Sequence, residues 1–376
     1  MASLKGRSRF AFAVAGMALL LGLSGPASAQ PIQLKVNDDV NMRFGILLQG
    51  WADWAQDPVT GGYSQNLFLR RARFLVGGQV AKNITFFFET DNPNLGKKNL
   101  SALTTGLVVQ DAIFEAKLAD EFILQGGLIL IPFCRNCNQA ATTLMSIDYG
   151  AYSFLQSTVS GSSTGRDTGF MAKGYLIDKH LEYKVGAFQG LRAAASSTNA
   201  ASNNAFRVAG RLQYNVFEVE PGLFYTGTYL GKKKILALGG GIDTQSDYIA
   251  YAGDVFLDMP VAGGNGVTFQ ADYIHYQGGA TYTALLSQNT FFTEAGFYFG
   301  GNAKVMPWLK YETRSASDSV NSAALDESRY QGGLAWYPFG YNFNVKAAYT
   351  RVEPKVTSPT KSATNQFSIQ LQVFYW

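Results

Sequence analysis

Few side chains in this 376-residue sequence could carry covalent or acid–base chemistry. The cysteines are Cys134 and Cys137, and the histidines are His180 and His275. A Cys-x-x-Cys pair can form a local disulfide, act as a redox couple, or hold part of a metal site. The redox reading needs a strand-to-helix turn, and this pair sits in a long link. A metal site would need more ligands than two thiolates. A disulfide is the expected state if the chain is exported. His275 could be the base of a hydrolytic triad, and it falls on an outward register where a membrane-surface lipid hydrolase would keep one. No partnered nucleophile is identifiable, so neither catalysis, a metal nor a cofactor is expected.

The other chemistry is ionic. Basic residues expected on one strand face are Arg43, Arg71, Arg73, Lys117, Lys173, Lys184, Arg207, Arg211, Lys310, Arg314, Arg329 and Lys346. Acidic residues on the same register are Asp53, Glu89, Asp91, Asp111, Glu115, Glu182, Glu218, Glu220, Asp254, Asp272, Glu294 and Glu312. Arg70, Arg71 and Arg73 form the densest basic group, with Arg207 and Arg211 on another strand. Such arginines can filter anions as a ring, or they can pair with carboxylates and brace a wall.

These charges need strands to sort them. Alternation with period two dominates the chain. Phe367, Ile369, Leu371, Val373 and Tyr375 take one face of the last segment, and Ser368, Gln370 and Gln372 take the other. The same rhythm runs through Met42–Gln49, Phe206–Tyr214, Phe291–Phe299 and Asn342–Tyr349. Segments of about 10 to 13 residues match tilted strands that cross a bilayer. A Lys or Arg facing lipid at the midplane would cost roughly 2 to 4 kcal/mol. The charged register therefore faces water, and the apolar register faces lipid.

Composition agrees. Charged residues are 15%, aromatics 14% and Gly 40 residues, with a mean hydropathy of −0.02. Soluble domains carry nearer 25% charge. Lys5, Arg7 and Arg9 precede an apolar run from Phe10 to Leu23 and the small residues Ala27-Ser28-Ala29. Residues 1–29 therefore read as a signal peptide and 30–376 as one barrel domain. The formal charge of +4 falls to about +1 once those three basic residues leave, so no nucleic-acid partner is expected.

Connections set the strand count. Short links fall near Ala81-Lys82, Ala119-Asp120, Asp178-Lys179, Asn215-Val216, Gly300-Gly301 and Phe339-Gly340. Long links run over 55–65, 92–107, 131–166, 190–204, 278–289, 316–327 and 353–364. Membrane barrels have short turns at the periplasmic end and long loops at the extracellular end, with an even strand count. A raw tally of 17 candidate segments breaks parity, and the break lies between residues 230 and 247. Reading 230–247 as one loop gives 16 strands; the alternative is 18. The expectation is an all-β, transmembrane antiparallel barrel of 16 strands with a water-filled lumen.

The 131–166 link, roughly 35 residues, is long enough to be functional. Folded inward, it would narrow the lumen, with Arg135 and Asp148 at the constriction and Arg166 beside them. The pore-lining candidates are therefore Arg71, Arg73, Arg135, Asp148, Arg166, Arg207 and Arg211. A barrel with a blocked lumen, serving as an adhesin or a structural element, is the rival to a pore, as is an outer-membrane enzyme.

Leu69-Arg-Arg-Ala-Arg-Phe-Leu-Val-Gly-Gly78 with Asn83–Asp91, and Asp111–Lys117 leading to Gln125–Phe133, resemble segments of the phosphate-selective porin O and P family. The terminal Val373-Phe-Tyr-Trp376 resembles the aromatic signal read by the barrel-assembly machinery, with Tyr375 ending the apolar alternation and Trp376 one residue out of register. The resemblance implies a 16-stranded homotrimeric porin in a Gram-negative outer membrane, embedded in outer-membrane lipid. Arg135 and Arg166 are a thin anion filter in the long loop. On this charge pattern the family's phosphate selectivity does not carry over, and passage of small hydrophilic solutes, with anions as one class, is the expectation.

Overall fold

The computed structural model describes residues 32–98, 104–160, 164–192, 205–316 and 325–376. The expected signal peptide lies outside the described residues. Among the described residues, seventeen strands form one antiparallel sheet. They are β1 (Ile32–Lys35), β2 (Asn41–Gln56), β3 (Tyr63–Ala81), β4 (Ile84–Asp91), β5 (Val108–Lys117), β6 (Ile123–Leu130), β7 (Arg166–Leu176), β8 (Leu181–Phe188) and β9 (Arg207–Asn215). They continue as β10 (Ile235–Gln245), β11 (Tyr248–Val261), β12 (Asn265–Gln277), β13 (Gln288–Tyr298), β14 (Val305–Ala316), β15 (Glu327–Trp336), β16 (Phe343–Pro354) and β17 (Thr364–Tyr375).

β2 to β17 each pair with the next, and β17 pairs back onto β2, so 16 strands close a ring. Closure leaves no unpaired edge in the wall, which lipid would not tolerate. β1 folds back on β2, with Ile32 opposite Phe44 and Lys35 opposite Asn41. The β17 ladder stops at Tyr375 opposite Ile46. β1 therefore covers the stretch of β2 that the shorter β17 leaves bare.

Alternation sorts the two faces as expected. On β12, Thr268, Gln270, Asp272, Ile274 and Tyr276 are buried inward, while Tyr273 is exposed outward. Outside, Leu67, Phe170, Leu212, Leu309 and Leu334 are all exposed. An apolar surface of this extent suits acyl chains rather than water.

The strand count of 16 is reached by a different route from parity. Residues 235–245 are β10, a full wall strand, not part of a loop. The segment outside the wall is 216–234, which links β9 to β10 at the turn end. Glu218 and Glu220 consequently belong to this link and not to a wall strand. The β10 misreading comes from parity: with Glu218 and Glu220 placed on a wall strand after the Asn215-Val216 turn, 235–245 has to be loop, and its composition does not object. Gly239-Gly-Gly241 looks like a loop, since glycine weakens a strand and marks close backbone approach. Both ends of that triplet point inward, where a side chain would collide. A Cβ on Gly239 would lie 2.3 Å from Arg211 Nη2 and 2.5 Å from Asp254 Oδ1. One on Gly241 would lie 2.1 Å from the Phe133 carbonyl oxygen. The glycines make a smooth panel for something packed inside.

Candidate pore constriction

Two segments enter the barrel from opposite ends and meet. The first is the 131–165 loop between β6 and β7. Cys134 and Cys137 are disulfide-bonded, with Cα atoms 5.1 Å apart, around a single 3-10 turn at Asn136–Asn138. The Asn138 side-chain amide donates to the carbonyls of Ile131 and Cys134 at 3.0 and 3.1 Å. Asn136 Oδ1 accepts from Gly150 N and Ser153 Oγ. A compact knot results, and its apolar side chains Ile131, Phe133, Leu144 and Met145 are buried.

The wall grips this knot through polar groups. The backbone N–H groups of Arg135 and Asn136 donate to the carboxylates of Asp254 and Asp272 at 3.2 and 2.9 Å. Lys310 donates to the carbonyls of Asp148 and Tyr149, and Lys346 to those of Leu144 and Ser146. Glu312 accepts from Ala151 N at 2.6 Å, and Tyr152 donates its hydroxyl to Glu327 at 2.6 Å. Buried polar groups must be paired to be tolerated, and here wall charges satisfy loop backbone.

The second segment is the 216–234 link. The Tyr225 N–H donates to the Asn138 carbonyl, and the Tyr225 carbonyl accepts from the Ala140 N–H, both at 2.9 Å, around a parallel Gln139–Tyr225 bridge. The Arg135 guanidinium donates to both Glu220 oxygens at 2.9 and 2.8 Å and lies 3.6 Å from the Phe256 ring centroid. Both side chains of that pair are almost wholly buried. Tyr225 donates its hydroxyl to Glu182 and accepts from Lys184 and Arg211. Asp258 accepts from Thr228 Oγ1, Thr268 Oγ1 and Tyr229 N, which fixes the far end of the link.

Between the inserts and the β2–β5 side of the wall remains a cavity of about 160 Å³. A β-bulge shapes its charged end: the β2–β3 register shifts between Gln49 and Gly50, so Arg70 is skipped. Bulges re-aim side chains, and here Arg70 and Arg71 both reach Asp148, at 2.9 and 2.6 Å. Arg73 pairs with Glu89 and, at 3.0 Å, with Asp91. Arg166 pairs with Asp111 at 3.0 Å. Four guanidiniums thus face four carboxylates. Burial opposes ionisation of the Asp148 carboxyl, but Arg70 and Arg71 outweigh it and hold it well below the usual carboxylate range.

The expected site residues divide into two groups. Arg71, Arg73, Asp148 and Arg166 gather at the cavity. Arg135 and Arg211 lie behind it, in the seam between inserts and wall. Arg207 is farther still, buried against Asp243 with Asp167 beside it. His275 faces outward, stacked on Tyr251 at 4.8 Å and hydrogen-bonded to Asn289. His180 sits at the turn end with Nδ1 against the Asn215 carbonyl.

Two groups of residues were missed. Phe224 and Tyr225 were not expected in the lumen, and Glu220 was expected there on a strand and not on a link; the Pro221-Gly222 pair, a turn signal inside an apparent strand, is what could have marked them. Trp376 is not displaced from the strand pattern at all. It continues the inward register of Gln370, Gln372 and Phe374 and lines the cavity.

No family model matches this sequence, and no curated protein matches it. Solved structures do. Salmonella typhi OmpF in complex with daunomycin superposes with a TM-score of 0.58 at 13% identity, covering 92% of this chain and 100% of that one. The outer membrane channel DcaP of Acinetobacter baumannii gives 0.58 at 10% identity, covering 91% and 99%. An anion-selective porin from Comamonas acidovorans gives 0.53 at 10% identity, covering 89% and 100%. At such identities the likeness is one of fold. The apolar outer surface is what a barrel of this fold presents to the acyl chains of a membrane.

Proposed function

We propose that this barrel, which has the fold of the outer-membrane porins, is a restrictive diffusion channel for small hydrophilic solutes. The observation that carries the reading is the charge-lined space left beside the two inserts. A structural wall could have been packed shut, whereas this space keeps Arg73, Glu89, Arg166 and Tyr149 at its surface. The solute path runs past that constriction, and the inserts set its width. Arg71, Arg73, Asp148 and Arg166 line or frame the path; Arg135, Arg207 and Arg211 brace the packing behind it.

Selectivity follows from pairing. Rings of one charge select ions of the other, but Arg70, Arg71, Arg73 and Arg166 are each held by a carboxylate. The channel discriminates weakly between anions and cations, and phosphate has no unpaired cationic array to bind. Homotrimer formation and delivery by the barrel-assembly machinery belong to the same reading, and cross-linking in detergent tests the former.

Planar-bilayer recording tests the proposal. Purified protein should give small, uniform conductance steps, with a reversal potential close to zero under a potassium chloride gradient. Removing residues 140–160 should enlarge the steps several-fold. Silence from correctly folded barrels would sink the channel reading and leave a structural wall; an unchanged step after the deletion would remove the insert from the path.

A further inference from the structure

The cavity has a second, apolar end that the charge pairs do not explain. Phe87 from β4 meets Phe224 from the inserted link edge to face, with ring centroids 5.8 Å apart, and meets Trp376 at 5.4 Å and 86°. The last residue of the chain is thereby held inside the lumen. Its indole lies in a cradle: a Cβ on Gly45 would fall 2.5 Å from Trp376 Cε3, and one on Gly77 would fall 2.9 Å from Cη2. The Arg43 guanidinium covers the ring at 4.2 Å. Two inward glycines and a cation therefore fix the Trp376 ring against the wall.

Resting on the channel reading above, we propose that this cavity is a binding site for a neutral cyclic polyol of monosaccharide size. Three features select that chemistry. The aromatic corner offers apolar rings for a flat C–H face. Across the same cavity, Arg73, Glu89 and Tyr149 offer donors and acceptors together, as hydroxyl groups need. At the polar end Arg73 and Arg166 are held by carboxylates, and the Arg43 guanidinium lies against the indole, so that end offers no unmatched ion to attract a charged solute. The volume of about 160 Å³ lies below that of clefts which take drug-sized ligands. Solutes of this class dwell in the path, so their transport saturates.

Glucose added to single channels in a planar bilayer tests this, with the linear polyol sorbitol as control. Glucose should reduce the current saturably, and sorbitol should not. Phe224→Ala removes a ring from the inserted link without touching the wall, and it should weaken glucose block about tenfold, the scale of one lost aromatic contact. If that variant does not insert, Phe87→Leu is read by the same criterion. Each variant is compared with its own sugar-free current. Conducting channels that glucose does not block, equal block by sorbitol, or full block in the ring variants would overturn the site while leaving the channel intact. Absence of any current steps would remove both.

Discussion

The joint between the two inserts makes a quantitative test, because one ion pair holds much of it. Glu220→Ala would leave the Arg135 guanidinium buried with only Gln213 Oε1 at 3.2 Å and the Thr226 carbonyl at 3.1 Å to accept from it. Removing one partner of a buried pair costs about 3 to 5 kcal/mol, because a charge is left uncompensated. The wall ladders of β2–β17 do not involve Glu220, so the loss falls on docking of the inserts. At about 1.4 kcal/mol per tenfold, the undocked population should rise by roughly 100- to 1,000-fold or more. Single-channel records of Glu220→Ala should then show excursions to a larger conductance that wild type visits rarely. Replacing both partners, Arg135→Met with Glu220→Met, removes the charge as well as the pair. An apolar replacement of similar volume is often neutral, so the double variant should return to a quiet trace. A Glu220→Ala record with wild-type conductance and noise would refute the idea that this pair fastens the constriction.

The remaining predictions concern the same packing. Asp148 docks the first insert on Arg70 and Arg71 with its carboxyl held below the usual range. A depressed folded value means the contribution is present above the unfolded value and lost as pH falls through the folded one. Wild-type conductance should therefore stay constant from neutral pH down to about 4 and rise only in stronger acid; Asp148→Asn should start high and lack that component, and two identical pH profiles would count against it. Gly241→Val should let the barrel assemble but push back the first insert, since its Cβ would strike the Phe133 carbonyl. Overpacking of this kind costs about 1 to 3 kcal/mol, and larger or noisier current steps at normal heat stability in detergent would report it; a normal trace would not fit.

Much of this fold was legible because membrane physics writes it locally. Period-two alternation, the charge-bearing register and the even strand number each follow from which side of the wall meets lipid. The interior was harder to read. Parity made a loop of β10, and nothing in it resisted, since its inward positions are Gly239 and Gly241, small for the sake of neighbours distant in sequence. The rule that long links sit at one end failed at 216–234, a long link at the turn end that fills the lumen. Arg70, Arg71 and Arg73 announced a charged patch. Asp148 was expected at a constriction, but its pairing with Arg70 and Arg71 was not legible, since it lies far along the chain and only the folded loop brings them together. Trp376 looked out of step because its register was judged against the lipid face, whereas it belongs to the other.

The parallel bridge at Gln139 and Tyr225 joins a strap hung from one rim to a strap hung from the other. In mechanical terms it is a tie rod across the membrane. A pull on the outer loop is carried through Arg135 and Glu220 to the opposite rim, so force applied from one side works against an anchor on the other. The constriction is held in tension from both faces, and widening it from either face alone means breaking that joint first.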